Sequence, residues 1–167
     1  ESTESRWRDE ARTRGVVVEV ATALAPDLPP VAGDPAELRE ALINLILNAV
    51  DAMPGGGRLS FATSADVQRV ELLVADTGAG MPEHVRQRIF DPFFTTKGPQ
   101  GTGLGLSMTY GILSRHGAQI SVESEEGKGT RFRLTFPRTT LAEQSGSPAA
   151  MPSATVSLRC LVVDDER

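Results

Sequence analysis

The stretch GPQGTGLGLS, residues 98–107, places four glycines within eight positions directly before an apolar segment with helical spacing. A chain this rich in glycine turns back on itself easily and presents several backbone N–H groups together. The positive end of the helix that follows favours an anion at the same place. The stretch therefore predicts a loop that holds an anionic group, such as a phosphate, at the start of a helix.

Two common phosphate-binding motifs do not fit this loop. A P-loop requires a lysine at the position that Leu104 occupies. The dinucleotide fingerprint GxGxxG matches at Gly101 and Gly103, but Leu106 replaces its third glycine. The preceding residues FFTTKGPQ contain the glycine and proline of a mobile loop, where that fingerprint requires a buried strand. The loop is therefore not a P-loop, and the dinucleotide interpretation is disfavoured.

Composition indicates one globular domain in a reducing compartment. The chain has 167 residues, of which 40% are hydrophobic, enough to bury a core. The single Cys160 excludes a disulfide framework and favours a cytoplasmic location. The longest apolar run, ALINLILNAV, is too short to span a bilayer, so we expect no membrane contact. The net charge of −5 argues against nonspecific nucleic-acid binding, so a phosphate must be met by local positive groups.

The order of the predicted elements indicates an α+β fold. Helical patterns occur over about residues 35–53, in MPEHVRQRIF and in LGLSMTYGILSRH. Strand patterns occur in GVVVEVATA, RLSFATS, VELLVAD, AQISVES and TRFRLTFP, the last with Phe132, Leu134 and Phe136 on one face. Since helices and strands do not alternate strictly, we expect a mixed, mostly antiparallel sheet with helices on one face, which is a two-layer α/β sandwich.

The ends of the helices carry their own signals. Asp34 is suited to cap the first long helix, with Pro35 at its first position and Glu37 reaching back to complete a capping box. Gly117 is suited to end the last helix, where the preceding His116 lies at the negative end of the helix dipole.

Polar residues lie along one face of the first long helix. Asn44, Asn48 and Asp51 follow one another at helical spacing in an otherwise apolar segment. Buried amides must be hydrogen-bonded, so these side chains either tie the helix to neighbouring backbone or serve a ligand. In the second case an asparagine oxygen completes the shell of a Mg²⁺ ion that phosphate and water otherwise hold.

A second candidate site follows the strand VELLVAD. Asp76 ends this strand, and Gly78 and Gly80 allow a flat ring to approach the backbone beside it. Because a carboxylate only accepts hydrogen bonds, it selects a ring with an amino donor, as adenine has and guanine lacks at the equivalent edge. Taken alone, DTGAG is also typical of a simple turn with an Asx motif.

Four motifs occur in order along the chain, NLILNAVDAM, DTGAGM, FDPFFTTK and GTGLGLS. They resemble the N, G1, F and G2 boxes of the sensor histidine kinases, whose ATP-binding domain belongs to the GHKL superfamily with gyrase and the heat-shock chaperones. The resemblance covers about residues 15–137. It implies the Bergerat fold, ATP and Mg²⁺ as cofactors, and a kinase activity in which this domain binds the nucleotide.

The resemblance also implies roles for individual residues. Asp76 would receive the adenine amino group, Asn48 would hold Mg²⁺ with the ATP phosphates, and Lys97 would follow the terminal phosphates. Residues 90–103 would form a lid, anchored by Phe90, Phe93 and Phe94. The residues expected at the nucleotide are Asn44, Asn48, Asp51, Asp76, Gly78, Gly80, Met81, Phe90, Lys97, Gly101, Thr102, Gly103, Leu104, Gly105 and Leu106.

Two positions depart from patterns common in these proteins. Many of the kinases have Lys or Arg three residues after the metal-binding Asn, whereas this chain has Asp51, as in the NAxDAM variant of nitrogen-regulator-type kinases. The cationic phosphate contact must then be missing or come from elsewhere. Hydrolytic members have a Glu general base where this chain has Asn44. Since an amide takes no proton, we expect slow ATP hydrolysis.

The resemblance places the phosphorylated histidine on a separate dimerisation domain. Neither His84 nor His116 fits that role, so we expect no catalytic residue here and no autophosphorylation by this chain alone. Residues 1–14 would be the end of the dimerisation helix or a linker, and residues 15–137 the ATP-binding domain. The dimerisation domain of the same parent kinase is then the expected partner.

The end of the chain resembles a second kind of domain. Residues 138–157 are rich in Ser, Pro and Ala and are predicted to be a flexible linker. CLVVDDE, within residues 158–167, resembles the first strand of a receiver domain, with Asp164 and Asp165 as its Mg²⁺-binding acid pair. A short apolar strand that ends in acids is also common by chance. The receiver interpretation implies a hybrid kinase, with a receiver domain or response regulator as a further partner.

Two other functions stay open at this point. One is a nonenzymatic nucleotide-binding module, a degenerate kinase domain whose lid regulates a partner. The other is a GHKL ATPase, against which Asn44 counts.

Overall fold

The computed structural model describes residues 17–138 and 155–156, which form a mixed sheet with helices packed on it. The strands are β1 (Val18–Ala23), β2 (Val31–Ala32), β3 (Gly57–Ala65), β4 (Arg69–Asp76), β5 (Gln119–Glu125), β6 (Gly129–Pro137) and β7 (Thr155–Val156). Five of them make one sheet in the order β1-β3-β4-β6-β5. β1 pairs in parallel with β3, and the other pairings in this sheet are antiparallel. The prediction of a mixed, mostly antiparallel sheet is therefore confirmed.

The helices are α1 (Pro35–Asp51), α2 (Glu83–Arg86) and α3 (Gly105–Arg115), with a 3-10 turn at Gly98–Gln100. α1 packs against α3 and against the sheet. Its apolar face is buried because Leu, Ile, Ala and Val recur at helical spacing. The buried residues of α1 are Leu38, Ala41, Leu42, Leu45, Ile46, Ala49 and Val50. α1 ends at Asp51, two positions before the predicted residue 53 and shortly before the PGGG segment.

The core lies between the helices and one face of the sheet. In β4, Val70, Leu72, Val74 and Asp76 are buried in alternation, as a strand with one face on a core requires. Three of these residues pair with Phe136, Leu134 and Phe132 of β6 in the antiparallel register. The prediction that these β6 residues share a buried face is confirmed. The same alternation carries Asp76 to the end of the core face, where the apolar side chains stop.

The N-terminal cap of α1 differs in part from the prediction. Asp34 caps the helix as expected, since its Oδ1 accepts hydrogen bonds from the backbone N–H groups of Ala36 at 2.7 Å and Glu37 at 3.3 Å. Glu37, however, does not reach back to complete a capping box. The backbone N–H of Asp34 instead donates to Nε2 of His116 at 2.9 Å, and Glu37 pairs with Arg115 at 3.0 Å. The capping-box prediction was wrong because the end of α3 supplies the acceptor.

Several predictions concern parts of the chain outside the described residues. The predictions for residues 1–14 and for residues 158–167, including Asp164 and Asp165, lie outside the described residues. Thr155 and Val156, within the predicted linker, pair antiparallel with Val31 and Ala32. Within residues 17–138 and 155–156, none of the helices has both the length and the apolar character needed to traverse a bilayer.

Candidate functional site

A cleft of about 450 Å³ opens between α1, the end of β4, the loop over residues 90–103 and the start of α3. The structure brings most of the predicted site residues together around it. Those that line the cleft are Asn44, Asn48, Asp51, Asp76, Gly80, Met81, Lys97, Gly101, Thr102, Gly103, Gly105 and Leu106. Gly78, Phe90 and Leu104, which were also predicted, are not part of its lining.

Asp76 lies at the inner end of the cleft with only 8% of its surface exposed. Its Oδ1 accepts hydrogen bonds from the backbone N–H groups of Gly78 at 2.8 Å and Thr130 at 3.2 Å. The first of these is the Asx turn that the sequence allowed. Within the described residues no hydrogen bond engages Oδ2. One oxygen thus fixes the carboxylate, and the other is available to a donor in the cleft.

Burial also sets the charge behaviour of Asp76. Desolvation raises the pKa of this carboxyl above its ordinary value, and the two backbone hydrogen bonds oppose that rise. A buried acceptor without a partner of its own is costly unless a ligand satisfies it. The arrangement is therefore suited to a ligand that donates a hydrogen bond, and it disfavours one that presents a carbonyl.

Two glycines hold the loop after β4 in place. A side chain on Gly78 would collide with the carbonyl group of Ala52, at the end of α1. Gly80 has a φ of 65°, and a side chain there would collide with the carbonyl group of Glu125. Gly78 thus packs the loop against the end of α1 and does not line the cleft, whereas Gly80 packs against the end of β5 and also lines the cleft.

The opposite end of the cleft holds a cation from the protein itself. The Nδ2 group of Asn48 donates to the carbonyl oxygen of Asn44 at 2.8 Å, so its Oδ1 points the other way. That oxygen accepts a hydrogen bond from the ammonium of Lys97 at 2.9 Å, and Oδ2 of Asp51 lies 2.7 Å from the same ammonium. Of the two explanations offered for the amides, a bond to backbone is observed at Nδ2 of Asn48, while its Oδ1 meets the charge of Lys97; a role toward a ligand stays a prediction.

The start of α3 leaves its first amides without side-chain acceptors. Leu104 is the N-cap residue, and no side chain caps this end. The first N–H groups of a helix have no partner within it, so those near Gly105 face the cleft with the positive end of the helix dipole. A β-carbon on Gly105 would lie about 3.9 Å from Asn44, an ordinary van der Waals contact, so the start of α3 and the polar face of α1 lie close together at this end of the cleft.

The loop over residues 90–103 is attached differently from the prediction. Phe90 packs on Tyr110, with ring centroids 5.5 Å apart, and Arg88 lies over the ring of Phe94 at 4.4 Å. Phe93, in contrast, is 74% exposed, so its predicted anchoring role was wrong. Its backbone, with a φ of 67°, donates instead to the carbonyl oxygen of Gly103 at 2.9 Å. The main chain makes the attachment at this point, and the ring points away.

Sequence reasoning missed part of the lining. The backbone N–H of Thr130 donates to the carboxylate of Asp76, which lies 54 positions earlier in the sequence. Only the pairing of β4 with β6 brings the two residues together. Thr95 and Thr96 add hydroxyl groups beside Lys97. Apolar walls come from Leu47, Val85, Ile89 and Phe132. The helical spacing around Leu47 and the strand alternation at Phe132 are the signals from which these two residues could have been found.

The described residues contain no group of three or more His, Cys, Asp or Glu side chains able to hold a metal ion. A divalent cation at Asn48 and Asp51 would therefore take its remaining ligands from a bound molecule and from water. The donor set, an amide oxygen and a carboxylate that already meet an ammonium, fits such an ion.

Known proteins are similar to this chain in sequence. Residues 33–140 match the family described as "Histidine kinase-, DNA gyrase B-, and HSP90-like ATPase". The chain is 41% identical to Sporulation kinase E of Bacillus subtilis (strain 168) over 128 residues, which cover 76% of this chain and 17% of that protein. The chain thus spans about a fifth or less of such relatives.

Solved structures agree with this result. The catalytic domain of histidine kinase ThkA superposes with a TM-score of 0.70 and 29% identity, covering 83% of this chain and 90% of that one. Full-length ShkA in complex with AMPPNP also gives a TM-score of 0.70, with 31% identity, over 83% of this chain and 29% of that one. The predicted α+β Bergerat fold is confirmed by this likeness. Because the family match spans more than half of the sequence, the chain belongs to the family of histidine kinase-, DNA gyrase B- and HSP90-like ATPases.

Proposed function

We propose that this chain is the ATP-binding catalytic domain of a sensor histidine kinase and that it presents the γ-phosphoryl group of ATP to a histidine on another domain. The main support is the buried carboxylate of Asp76, whose Oδ2 has no hydrogen bond among the described residues. The adenine amino group is a donor that this oxygen would accept, whereas guanine places a carbonyl there. The AMPPNP complex of ShkA, a structure of the same fold, also supports an adenine nucleotide.

The other residues of the cleft would bind the rest of the nucleotide. Gly80 and Met81 would lie beside the base, and the apolar walls would cover its faces. The amides around Gly101, Gly103 and Gly105 would meet the phosphates at the positive end of α3. Lys97 would add a mobile positive charge at the terminal phosphates. The cleft would then hold the base of the nucleotide at one end and its γ-phosphoryl group at the other.

The same proposal includes a Mg²⁺ ion at Asn48. The oxygen of Asn48 would hold it, Asn44 would fix the Asn48 amide, and Asp51 would add negative charge nearby. When bound, the ion would neutralise charge on the transferring phosphoryl group. Asn44 offers no base that could activate water, which favours transfer to an acceptor over hydrolysis.

The acceptor histidine would come from outside the described residues. Both ring nitrogens of His116 are engaged, Nε2 by Asp34 and Nδ1 by the carbonyl oxygen of Ile112 at 2.7 Å. His84 lies on α2, is exposed and does not line the cleft. The dimerisation domain of the same parent kinase is the proposed partner. A receiver domain, begun by Asp164 and Asp165 or present on a separate response regulator, would then take the phosphoryl group in the cytoplasm.

Calorimetric titration with Mg·ATP and Mg·GTP tests the nucleotide proposal. Asp76→Asn keeps an acceptor for the two backbone N–H groups but turns a donor toward adenine, so we expect about a ten- to a hundredfold loss of ATP affinity. Asp27→Asn, which makes the same change in an exposed turn, should bind like the native chain. Binding of GTP as tightly as ATP, or no effect of Asp76→Asn, would contradict the assignment of the adenine pocket.

A further inference from the structure

The ammonium of Lys97 bridges two residues of α1 from across the cleft. It lies 2.9 Å from Oδ1 of Asn48 and 2.7 Å from Oδ2 of Asp51, which are 49 and 46 positions earlier in the sequence. The side chains of Lys97 and Asp51 are 42% and 29% exposed, so the contact is half in water. This is a contact between the lid, residues 90–103, and the helix below it.

The orientation of Asn48 makes this contact specific. Because Nδ2 of Asn48 donates to the carbonyl oxygen of Asn44, the amide cannot rotate without losing that bond. Its Oδ1 is thus fixed toward the cleft, where it meets a positive charge. Two cations held at one neutral oxygen repel each other strongly at such short range. Lys97 and a metal ion therefore exclude each other at Oδ1 of Asn48.

The backbone around Lys97 allows the side chain to leave. Its N–H donates to Oγ1 of Thr95 at 3.1 Å, which forms a local turn. Gly98 follows with a φ of 59° and has open space where a side chain would lie. The ammonium can thus move without any shift of α1, on which Asn48 and Asp51 stay in place.

From these contacts we propose that Lys97 is a built-in cation that occupies Oδ1 of Asn48 while the cleft holds no nucleotide, and that Asp51 is the positioning residue that keeps it there. The inference rests on the proposed function, and it assigns a role to the acid at position 51. When Mg·ATP enters, Lys97 gives up Asn48 and stays tethered near Asp51, beside the terminal phosphates. The positive charge that position 51 lacks is then supplied from the lid.

The first test needs no nucleotide. If Asp51 tethers the lid, Asp51→Asn in the 167-residue chain speeds hydrogen exchange of backbone amides at residues 95–101 by roughly threefold, the scale of a half-exposed ion pair. Asp27→Asn is the control for loss of one carboxylate elsewhere and leaves lid exchange unchanged. Equal exchange in the native and Asp51→Asn chains overturns the tether.

The second test measures displacement. At saturating non-hydrolysable ATP analogue, the Mg²⁺ concentration that gives half-maximal metal binding is compared between the native chain and Lys97→Met, in which Asp51 stays in place. Lys128→Met makes the same change of net charge outside the cleft, so a simple change of charge predicts the same result for both variants. Because Oδ1 of Asn48 is no longer occupied, we expect the required Mg²⁺ concentration to fall by about threefold or more. An unchanged or higher value overturns the displacement.

Lys128→Met is the matched control for this titration. Lys128 is exposed in the β5–β6 turn and pairs with Glu125 at 2.6 Å, outside the cleft. Its replacement should leave the Mg²⁺ dependence unchanged. If the native chain binds no nucleotide, the proposed function fails, and lid exchange alone decides whether Asp51 tethers Lys97. If nucleotide binds but both tests give no change, only the inference about Lys97 fails.

Discussion

At the scale of single residues, Asp76 meets two opposing demands. Its burial favours the protonated form, while the hydrogen bonds from Gly78 and Thr130 favour the ionised form. Burial is the larger effect, so the pKa of the carboxyl is raised above its unfolded value. The contribution of this carboxyl to the free energy of unfolding is then fully present below its unfolded pKa. That contribution is lost as pH rises through the folded pKa. Wherever the carboxyl is ionised, its burial destabilises the empty domain.

Asp76→Asn is therefore expected to raise stability while it weakens ATP binding. Since the amide cannot ionise, its thermal midpoint at pH 7 should exceed that of the native chain, and the difference should shrink as pH falls below the raised pKa of Asp76. Thermal unfolding followed by circular dichroism between pH 7 and pH 4 measures this, with Asp27→Asn as the control. If Asp76→Asn is less stable than the native chain at every pH, the carboxylate stabilises the fold, and the prediction is wrong.

Spacing along the chain was enough to predict the polar stripe of Asn44, Asn48 and Asp51, because helical geometry places them on one face. It was not enough to predict the ammonium of Lys97 between two of them, since that contact depends on how the lid folds over α1. The exposure of Phe93 was also missed. An aromatic residue predicts burial on average, whereas here the main chain makes the contact with Gly103.

At the scale of elements, His116 joins the end of α3 to the start of α1. Because the N–H of Asp34 donates to Nε2, this nitrogen has no proton, and Nδ1 must donate to the carbonyl oxygen of Ile112. The ring thus joins the two helices through one hydrogen bond at each nitrogen. A side chain on Gly33 would collide with this ring, so glycine makes room for it.

His116→Phe is expected to destabilise the domain by about 1–2 kcal/mol. The ring volume is kept, but the N–H of Asp34 and the carbonyl oxygen of Ile112 each lose a partner. Urea unfolding followed by circular dichroism gives the free energy of unfolding. His84→Phe makes the same replacement at an exposed position of α2 and should change it by less than about 0.5 kcal/mol. Equal effects of the two substitutions would contradict the proposed link.

The sequence was sufficient for most elements because their periodicities are clear. The alternation in β6 and the helical apolar face of α1 both follow from residues close in sequence. The interrupted capping box at Glu37 was not predictable, since the competing acceptor on His116 lies 82 positions from Asp34. Local signals locate the elements, and contacts between distant segments decide which hydrogen-bond partners they use.

At the scale of the whole molecule, one sheet face supports both ends of the cleft. β4 and β6 fix the carboxylate end through Asp76 and Thr130, and α1 fixes the cation-holding end through Asn48. The start of α3 and the lid close the space between them. Within the described residues, no histidine lines the cleft. On the proposed function, this domain is therefore a phosphoryl donor that requires a separate acceptor.

This division predicts how the chain behaves with radiolabelled Mg·ATP. Alone, it should not become labelled, because both nitrogens of His116 are engaged and His84 does not line the cleft. Hydrolysis should be slow, with turnover on the order of 10⁻³ s⁻¹ or less, since Asn44 provides no base. Adding the dimerisation domain of the parent protein should produce acid-labile label on that domain, and Asp76→Asn should prevent it. Steady ATP turnover without transfer would favour an ATPase, and ATP binding with neither activity would favour a regulatory nucleotide-binding module.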